Sequence, residues 1–599
     1  MKSRTPVATR SPGAGNLRAL VDSAADALAA DRPLPQLLAL SLLAACFWCA
    51  WLLDGSFVLG TSAFWRNPRG IVGAGGADMQ QALSGYIFFQ RDTWHIPLFQ
   101  VAKLGTPQGT NIIFTDSIPW LALAGRVLFQ ATGLRANLFG LWTVGCFAAS
   151  AMTMTALAAA LGQRNIAAAA MATTAGLCMP ALLARWGHTS LMAQFEVPLA
   201  LVFYIRNHRC TRPWRLFVLA GGLSALALWT HAYIFAMVLS IVLATLAQAV
   251  TTRSLRWDKA AGIAGSLIVI LGGMIALSGY LHSRGALGTG AAGPFYTMNL
   301  LSPFFPQRSG LLPPFRDTLV DGTAGQYEGF SYLGGGILLL LFATAQRQIQ
   351  TLRHGLTRHP WLFAVLAGCT VFALSNNIYL GTALILHVPL PLWLLNIASI
   401  FRSDGRFFWP VMYLLAGLGI SAAIPVYGRG GVPLLIVAAL LQWIDAAPLR
   451  QAFASHTRAP ETPHIDLAAW QAAIQRHDSV RVLPQYFCLK PLRWNSEVAV
   501  ELQLLAAIAD RPINSVYASR FQADCAAEQR IDPIPLAGER QLTVVLDEFA
   551  GFEKMRAFAQ TRGTCQSDPG IVVCSDIPRE APILATLAKT DRASVPAKE

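Results

Sequence analysis

The chain has 599 residues, of which 54% are hydrophobic and 13% charged, with a mean hydropathy of +0.45. A soluble domain usually carries about 25% charged residues, so this balance excludes a purely soluble protein and implies a polytopic membrane protein. The formal charge of +14 does not imply a nucleic-acid partner, because the basic residues fall in short clusters between apolar runs and not along one face or tail.

Residues 1–33 carry Lys2, Arg4, Arg10, Arg18 and Arg32 among Ser, Pro and Gly and read as a basic cytoplasmic tail. No small-residue cleavage pattern follows the apolar run 35–53, which is expected to stay as a first transmembrane helix. The polar interval 54–137 is rich in Gly and Pro, yet it holds Trp65, Tyr86, Phe88, Phe89, Trp94 and Trp120. Loops of this length are functional or disordered, and the aromatics argue for a folded cap outside the membrane.

Further apolar runs lie near 138–161, 164–184, 189–206, 214–230, 233–251, 260–281, 329–346, 360–377, 407–425 and 431–447. Each approaches the roughly 20 residues a bilayer needs. The run Ile118–Gly133 has Arg126 at its middle and is expected to lie on the membrane surface. That choice gives eleven spanning helices and puts the clusters around Arg209, Arg256 and Arg353 in the cytoplasm. Leu380–Ile400 contains His387, Pro389 and Pro391, which favour a re-entrant or surface-lying segment. The C-terminal region, 448–578, then falls on the outer side and precedes a tail, 579–599. Its β-rich runs SVRVLP, NSVYAS, QLTVVLDEF and GIVVCS alternate with helical patterns, which predicts a small accessory α/β domain with a largely parallel sheet.

Of ten cysteines, six lie in or beside apolar segments, where a thiol acts as a small hydrophobe. The other four, Cys488, Cys525, Cys565 and Cys574, belong to the C-terminal region. They imply disulfides in an oxidising compartment with three possible connectivities. Cys565–Cys574 is favoured, because the intervening QSDPG reads as a hairpin turn. Free cytosolic thiols are the other reading.

The residues that point to chemistry sit in the outward loops. GIVGAGGAD crowds Gly73, Gly75 and Gly76, but Asp78 occupies the place of the third glycine of a dinucleotide fingerprint and no βαβ unit surrounds it. Asp78 is either a helix N-cap or a carboxylate turned to the membrane interface. Asp116 precedes Pro119 as an ordinary helix start would, and Asp92 has Arg91 and His95 beside it as in a surface charge cluster. Arg185 and His188 join two apolar runs, and Glu196, two turns into the membrane, is costly unless it lines a cavity. Glu328 stands among aromatics in GQYEGFSYLG. Arg402 and Arg406 flank a return into the membrane, where guanidinium groups suit a phosphate or anchor lipid headgroups. No clear metal-ligand spacing accompanies these groups, so metal dependence stays open.

Taken together, GADMQQ, the TDSIP element, RWGHTSL, GQYEGFSYLG and FRSDGRFFWP resemble the GT-C superfamily of integral-membrane glycosyltransferases, over about residues 35–447. More closely, the chain resembles an uncharacterised bacterial family within it that ends in a soluble domain. The resemblance implies a GT-C-like transmembrane domain over 34–447 with 54–137 as its first periplasmic loop. It further implies an inner-membrane enzyme of inverting type that takes a sugar from a polyprenyl-phosphate carrier to a cell-envelope glycan or lipid acceptor. On it, Asp78 matches the loop carboxylate near the reacting centre. Asp116, His188 and Glu328 are expected nearby as catalytic or acceptor-binding groups, with Arg402 and Arg406 on the carrier phosphate. Departures are the missing WWDYG-like motif and His188 in place of a DxD in the second outer loop. A transporter or flippase of a lipid-linked glycan is the competing class. It predicts repeated halves with midplane charge, and no halves repeat here.

Overall fold

A computed structural model describes residues 23–69, 77–282, 295–312, 321–458, 462–491, 493–521, 523–532, 540–561, 564–575 and 577. The turn through Gly73, Gly75 and Gly76, most of the basic tail and the segment 579–599 lie outside the described residues. The longest apolar runs become helices of bilayer length; Pro33 opens the first, and Gly279 in the left-handed region closes Trp257–Ser278. Among the described residues, six helical stretches are long and apolar enough to cross a membrane: Leu34–Leu52, Phe139–Ala160, Ile166–Leu183, Ala232–Thr251, Trp257–Ser278 and the joined pair within Asp404–Asp445. The protein is therefore a multi-pass membrane protein. Ile268 and Val269 are 73% and 74% exposed on Trp257–Ser278, as lipid-facing side chains are.

Of the remaining expected spans, 214–230 and 360–377 are single helices, Pro213–Thr230 and Pro360–Leu374, and two others are interrupted. The run 189–206 splits into a 3₁₀ segment, Thr189–Phe195, and a 12-residue helix, Glu196–Asn207, with a non-helical Ala193 at the kink. The run 329–346 ends at Thr344, whose hydroxyl bonds the Leu340 carbonyl. There the nine-residue helix Gly335–Ala343 gives way to an amphipathic one, Ala345–Arg358. Pro119–Thr132 is 14 residues, about 21 Å at 1.5 Å per residue, short of a roughly 30 Å hydrocarbon core. Arg126 does not face lipid: it is buried, donates to the Asp92 carbonyl and packs on Trp94 at 3.7 Å. Residues 377–400 form a hairpin, Asn377–Leu380 with Ala383–His387, and the short helix Leu392–Ala398.

The loop after the first helix is folded. Its centre is the helix Asp78–Arg91, with a two-residue hairpin, Gln100–Val101 paired to Thr110–Asn111, behind it. Asp92 has His95 at 3.5 Å as expected, but it is buried and accepts from the Ala102 amide at 2.6 Å, so it shapes the loop and does not belong to a surface cluster.

The C-terminal sheet corrects the expectation of largely parallel strands. Ser479–Leu483 runs parallel to Gln541–Leu546, but Ile571–Ser575 pairs antiparallel with Gln541–Leu546 and with Cys565–Asp568. NSVYAS is not a strand; Ile513 just before it makes bridges to Leu104 and Val480. Disulfides join Cys488 to Cys525 and Cys565 to Cys574.

This region is docked and not a free appendage. Its helix Trp494–Ala509 packs on Asp78–Arg91, and one continuous core joins both parts. Arg69 of the loop reaches Glu497 at 2.6 Å and Glu501 at 2.8 Å, Gln503 donates to Ser84 at 2.7 Å, and Lys103 meets Asp510 at 2.9 Å.

Candidate functional site

Asp78 is the first residue of its helix. The N-cap position belongs to Ala77, so the ordinary capping role does not account for Asp78. Its Oδ1 accepts the Tyr517 hydroxyl at 2.6 Å, and its Oδ2 lies 3.5 Å from His188 Nε2. His188 Nε2 is also 3.6 Å from Glu328 Oε1, so one imidazole nitrogen stands between two carboxylates. Both separations exceed the usual hydrogen-bond length, and the side chains of Asp78 and His188 keep 14% and 22% exposure, which leaves them accessible.

Glu328 comes from the 3₁₀ turn Gln326–Gly329, and Arg406 from a second one, Asp404–Phe408. The turns meet through glycines: a Cβ on Gly405 would lie 2.5 Å from the Gly329 Cα, so a side chain there would drive them apart. That approach lets Arg406 donate to Glu328 Oε2 from Nε at 3.1 Å and Nη2 at 2.7 Å. Arg185 pairs with the same oxygen and also donates to the Tyr327 and Glu328 carbonyls. Arg402 stands apart from this ion pair. It is exposed, its guanidinium lies 5.4 Å from the Tyr296 ring, and its charge acts on Tyr517, the donor to Asp78.

A second carboxylate–imidazole pair stands alongside. His231 Nδ1 accepts the Tyr233 amide, which leaves Nε2 directed at Asp116 Oδ1, 3.6 Å away. Asp116 has φ 56° and is not the cap of the following helix, where Ile118 takes that place. Glu196 lies deeper, fully buried, and accepts the Thr230 hydroxyl at 2.9 Å.

These contacts set the charges. Burial raises the Asp78 carboxyl above its ordinary value, helped by Asp116 and Glu328 and opposed by His188 and the Tyr517 hydrogen bond. Burial alone would lower the His188 imidazole, but Asp78 and Glu328 outweigh it and hold it above its usual value. Glu328 is buried too, yet Arg185 and Arg406 hold it well below the carboxylate range. Against the same burial, His231 keeps Asp116 below its ordinary value. The carboxylates thus differ in what they can do. Glu328 is a fixed counter-ion, while Asp78 has had its proton affinity lifted toward working pH.

Asp78, His188, Glu328 and Arg406 meet directly. Asp116 stands in a neighbouring pair, and Arg402 forms no ion pair with a carboxylate among the described residues. Nor, among those residues, are three His, Cys, Asp or Glu side chains grouped as a metal site. Sequence reading missed Tyr517 and His231. A histidine within an apolar run, LWTHAYIF, was a signal for the second; nothing local marks Tyr517, 439 residues from its partner.

A family model described as "Domain of unknown function (DUF6311)" matches residues 42–447, and another, "DUF6311 C-terminal domain", matches 469–576. No curated protein matches. Among solved structures, the chain is similar to the archaeal oligosaccharyltransferase AglB from Archaeoglobus fulgidus, in complex with an inhibitory peptide and a dolichol-phosphate. The two share 9% identity at a TM-score of 0.36, over 81% of this chain and 64% of that one.

Proposed function

The chain belongs to the DUF6311 family, and we propose that it is an integral-membrane glycosyltransferase of the GT-C type. In this reading it takes a sugar from a polyprenyl-phosphate carrier to a glycan or lipid acceptor at the outer face of the bacterial inner membrane. Eleven spans carry residues 34–447, with the N-terminus cytoplasmic and the domain 448–578 periplasmic. The observation that carries the reading is Asp78: an accessible carboxylate with a raised pKa, aimed by Tyr517 and set beside an imidazole.

Transfer with a phosphate leaving group needs a base for the acceptor hydroxyl and positive charge for the departing phosphate. Asp78 Oδ2 takes the hydroxyl proton as the acceptor oxygen bonds to the anomeric carbon and the bond to the carrier phosphate breaks. His188, whose pKa Asp78 and Glu328 raise, orients the acceptor and Asp78. Arg402 meets the phosphate. Arg406, assigned to the phosphate from sequence, is held by Glu328 and acts at most at longer range.

The test is transfer from a panel of polyprenyl-phosphate sugars by the full chain in proteoliposomes. Asp78→Asn should lower the rate by about 10²–10⁴-fold, the usual contribution of a general base, with donor affinity nearly unchanged. Arg402→Ala should weaken both. Near-normal transfer by Asp78→Asn would move the base to Asp116. No transfer from any carrier-linked sugar would put a lipid-linked-glycan transporter ahead.

A further inference from the structure

At the end of the bundle away from Asp78 lies a cavity of about 430 Å³. Its location follows from the helix Glu196–Asn207, which starts at the partner of Thr230, the residue before His231 of the Asp116 pair, and ends one residue before His208 in the cavity wall. Arg347, Arg358, His208, His354 and His359 line it, and none of the described residues lining it is acidic. The buried Tyr204 hydroxyl lies 3.2 Å from His359 Nδ1, and His208 stacks on the Tyr204 ring. Burial lowers the His359 imidazole, and His208, Arg209 and Arg358 push it further the same way, the mark of a positive field without local compensation.

Another part of the wall is apolar, with Leu161, Leu362, Leu414 and Leu418 from helices of the bundle. The arginines come from the amphipathic helix Ala345–Arg358. Gly355 lets it lie close, since a Cβ there would meet the Phe363 ring at 2.6 Å. Ile349 and Leu356 are 51% and 56% exposed on this helix, and Trp361 just beyond it is 47% exposed. Apolar side chains and a tryptophan beside arginines at a bundle end are how a helix rests in a membrane interface.

We propose that this cavity binds the phosphodiester headgroup of an anionic phospholipid, with the arginines on the phosphate and the acyl chains along the leucine wall. Basic pockets between membrane helices suit such headgroups, and an apolar wall adjoining the cations favours a lipid over a soluble phosphate. The assignment is independent of the reaction proposed for the Asp78 cluster.

Native mass spectrometry of the full chain in detergent tests it, with phosphatidylglycerol, phosphatidylcholine and inorganic phosphate as the three probes. Phosphatidylglycerol should be retained and phosphatidylcholine should not, a comparison that needs no variant. The double variant Arg347→Ala/Arg358→Ala should weaken phosphatidylglycerol binding by about thirtyfold, given the usual contribution of a cation at an anionic lipid surface. Arg353→Ala, on the same helix but outside the cavity, should leave it unchanged. Equal retention of both lipids, undiminished binding by the double variant, or displacement of lipid by equimolar inorganic phosphate would overturn the proposal.

Discussion

Replacing Arg69 by Ala should release the C-terminal domain from the loop that holds Asp78. Arg69 keeps 8% exposure and bridges Glu497 and Glu501, the latter fully buried. Removing one member of a buried ion pair costs about 3–5 kcal/mol, because the remaining charge is left in a poor environment. Glu501 retains His464, with Nδ1 at 3.0 Å and the backbone amide at 3.1 Å, and Glu497 keeps 15% exposure, so the lower limit applies. A loss of about 3 kcal/mol raises local opening roughly 150-fold. Hydrogen exchange of the detergent-solubilised chain reads that directly, in the amides of Trp494–Ala509 and of Asp78–Arg91. Arg69→Lys keeps the charge but not the two-pronged geometry and should fall between. Unchanged protection of both helices in Arg69→Ala would refute this account and leave docking to contacts such as the Gln503–Ser84 bond, the Lys103–Asp510 pair and the backbone pairing of Ile513 with Lys103 and Gly105.

The Tyr517 hydroxyl lowers the Asp78 pKa, so Tyr517→Phe should move the acid limb of the pH–rate profile upward and cut transfer below that limb by about tenfold or more, the worth of a hydrogen bond to a charged group; an unmoved limb would mean that another group titrates. Glu328→Gln should destabilise the fold by about 3–5 kcal/mol at neutral pH by stranding Arg185 and Arg406. Since the folded Glu328 pKa lies well below its unfolded value, that stabilisation is complete above the ordinary glutamate range, about 4.3, and is lost as pH falls through the lowered pKa. The melting difference between wild type and Glu328→Gln should therefore close in acid, and a pH-independent difference would contradict the ion-pair assignment. A reporter fused after Glu599 should behave as periplasmic and one after Arg209 as cytoplasmic, and peptide mapping without reduction should recover Cys488–Cys525 and Cys565–Cys574. Four alkylatable thiols in that region would refute the compartment.

The apolar runs could be read from sequence because bilayer-length hydrophobicity is a local property that burial does not alter. Their interruptions at Ala193 and Thr344 could not, since a kink depends on which neighbour the freed carbonyl or side chain meets. Asp78, His188, Glu328 and Arg406 each stand out alone, as charged or titratable groups in outward loops. Their pairing is hidden: that Glu328 holds Arg406, 78 residues further on, depends on two glycine turns touching. Strand direction in the C-terminal sheet is equally hidden, because alternation gives the faces of a strand and not the partner it runs beside. The same limit makes this domain look merely accessory in sequence, although a single tyrosine from one of its irregular segments reaches Asp78.

That reach has a consequence for biosynthesis. Asp78 leaves the ribosome 439 residues before Tyr517, an interval of roughly 20–90 s at ordinary elongation rates. Throughout it the carboxylate is inserted without its phenol donor, and the loop helix lacks the cover of Trp494–Ala509. A chain that stalled between Asp445 and Tyr517 would thus carry the described helices of the bundle with its cluster unfinished.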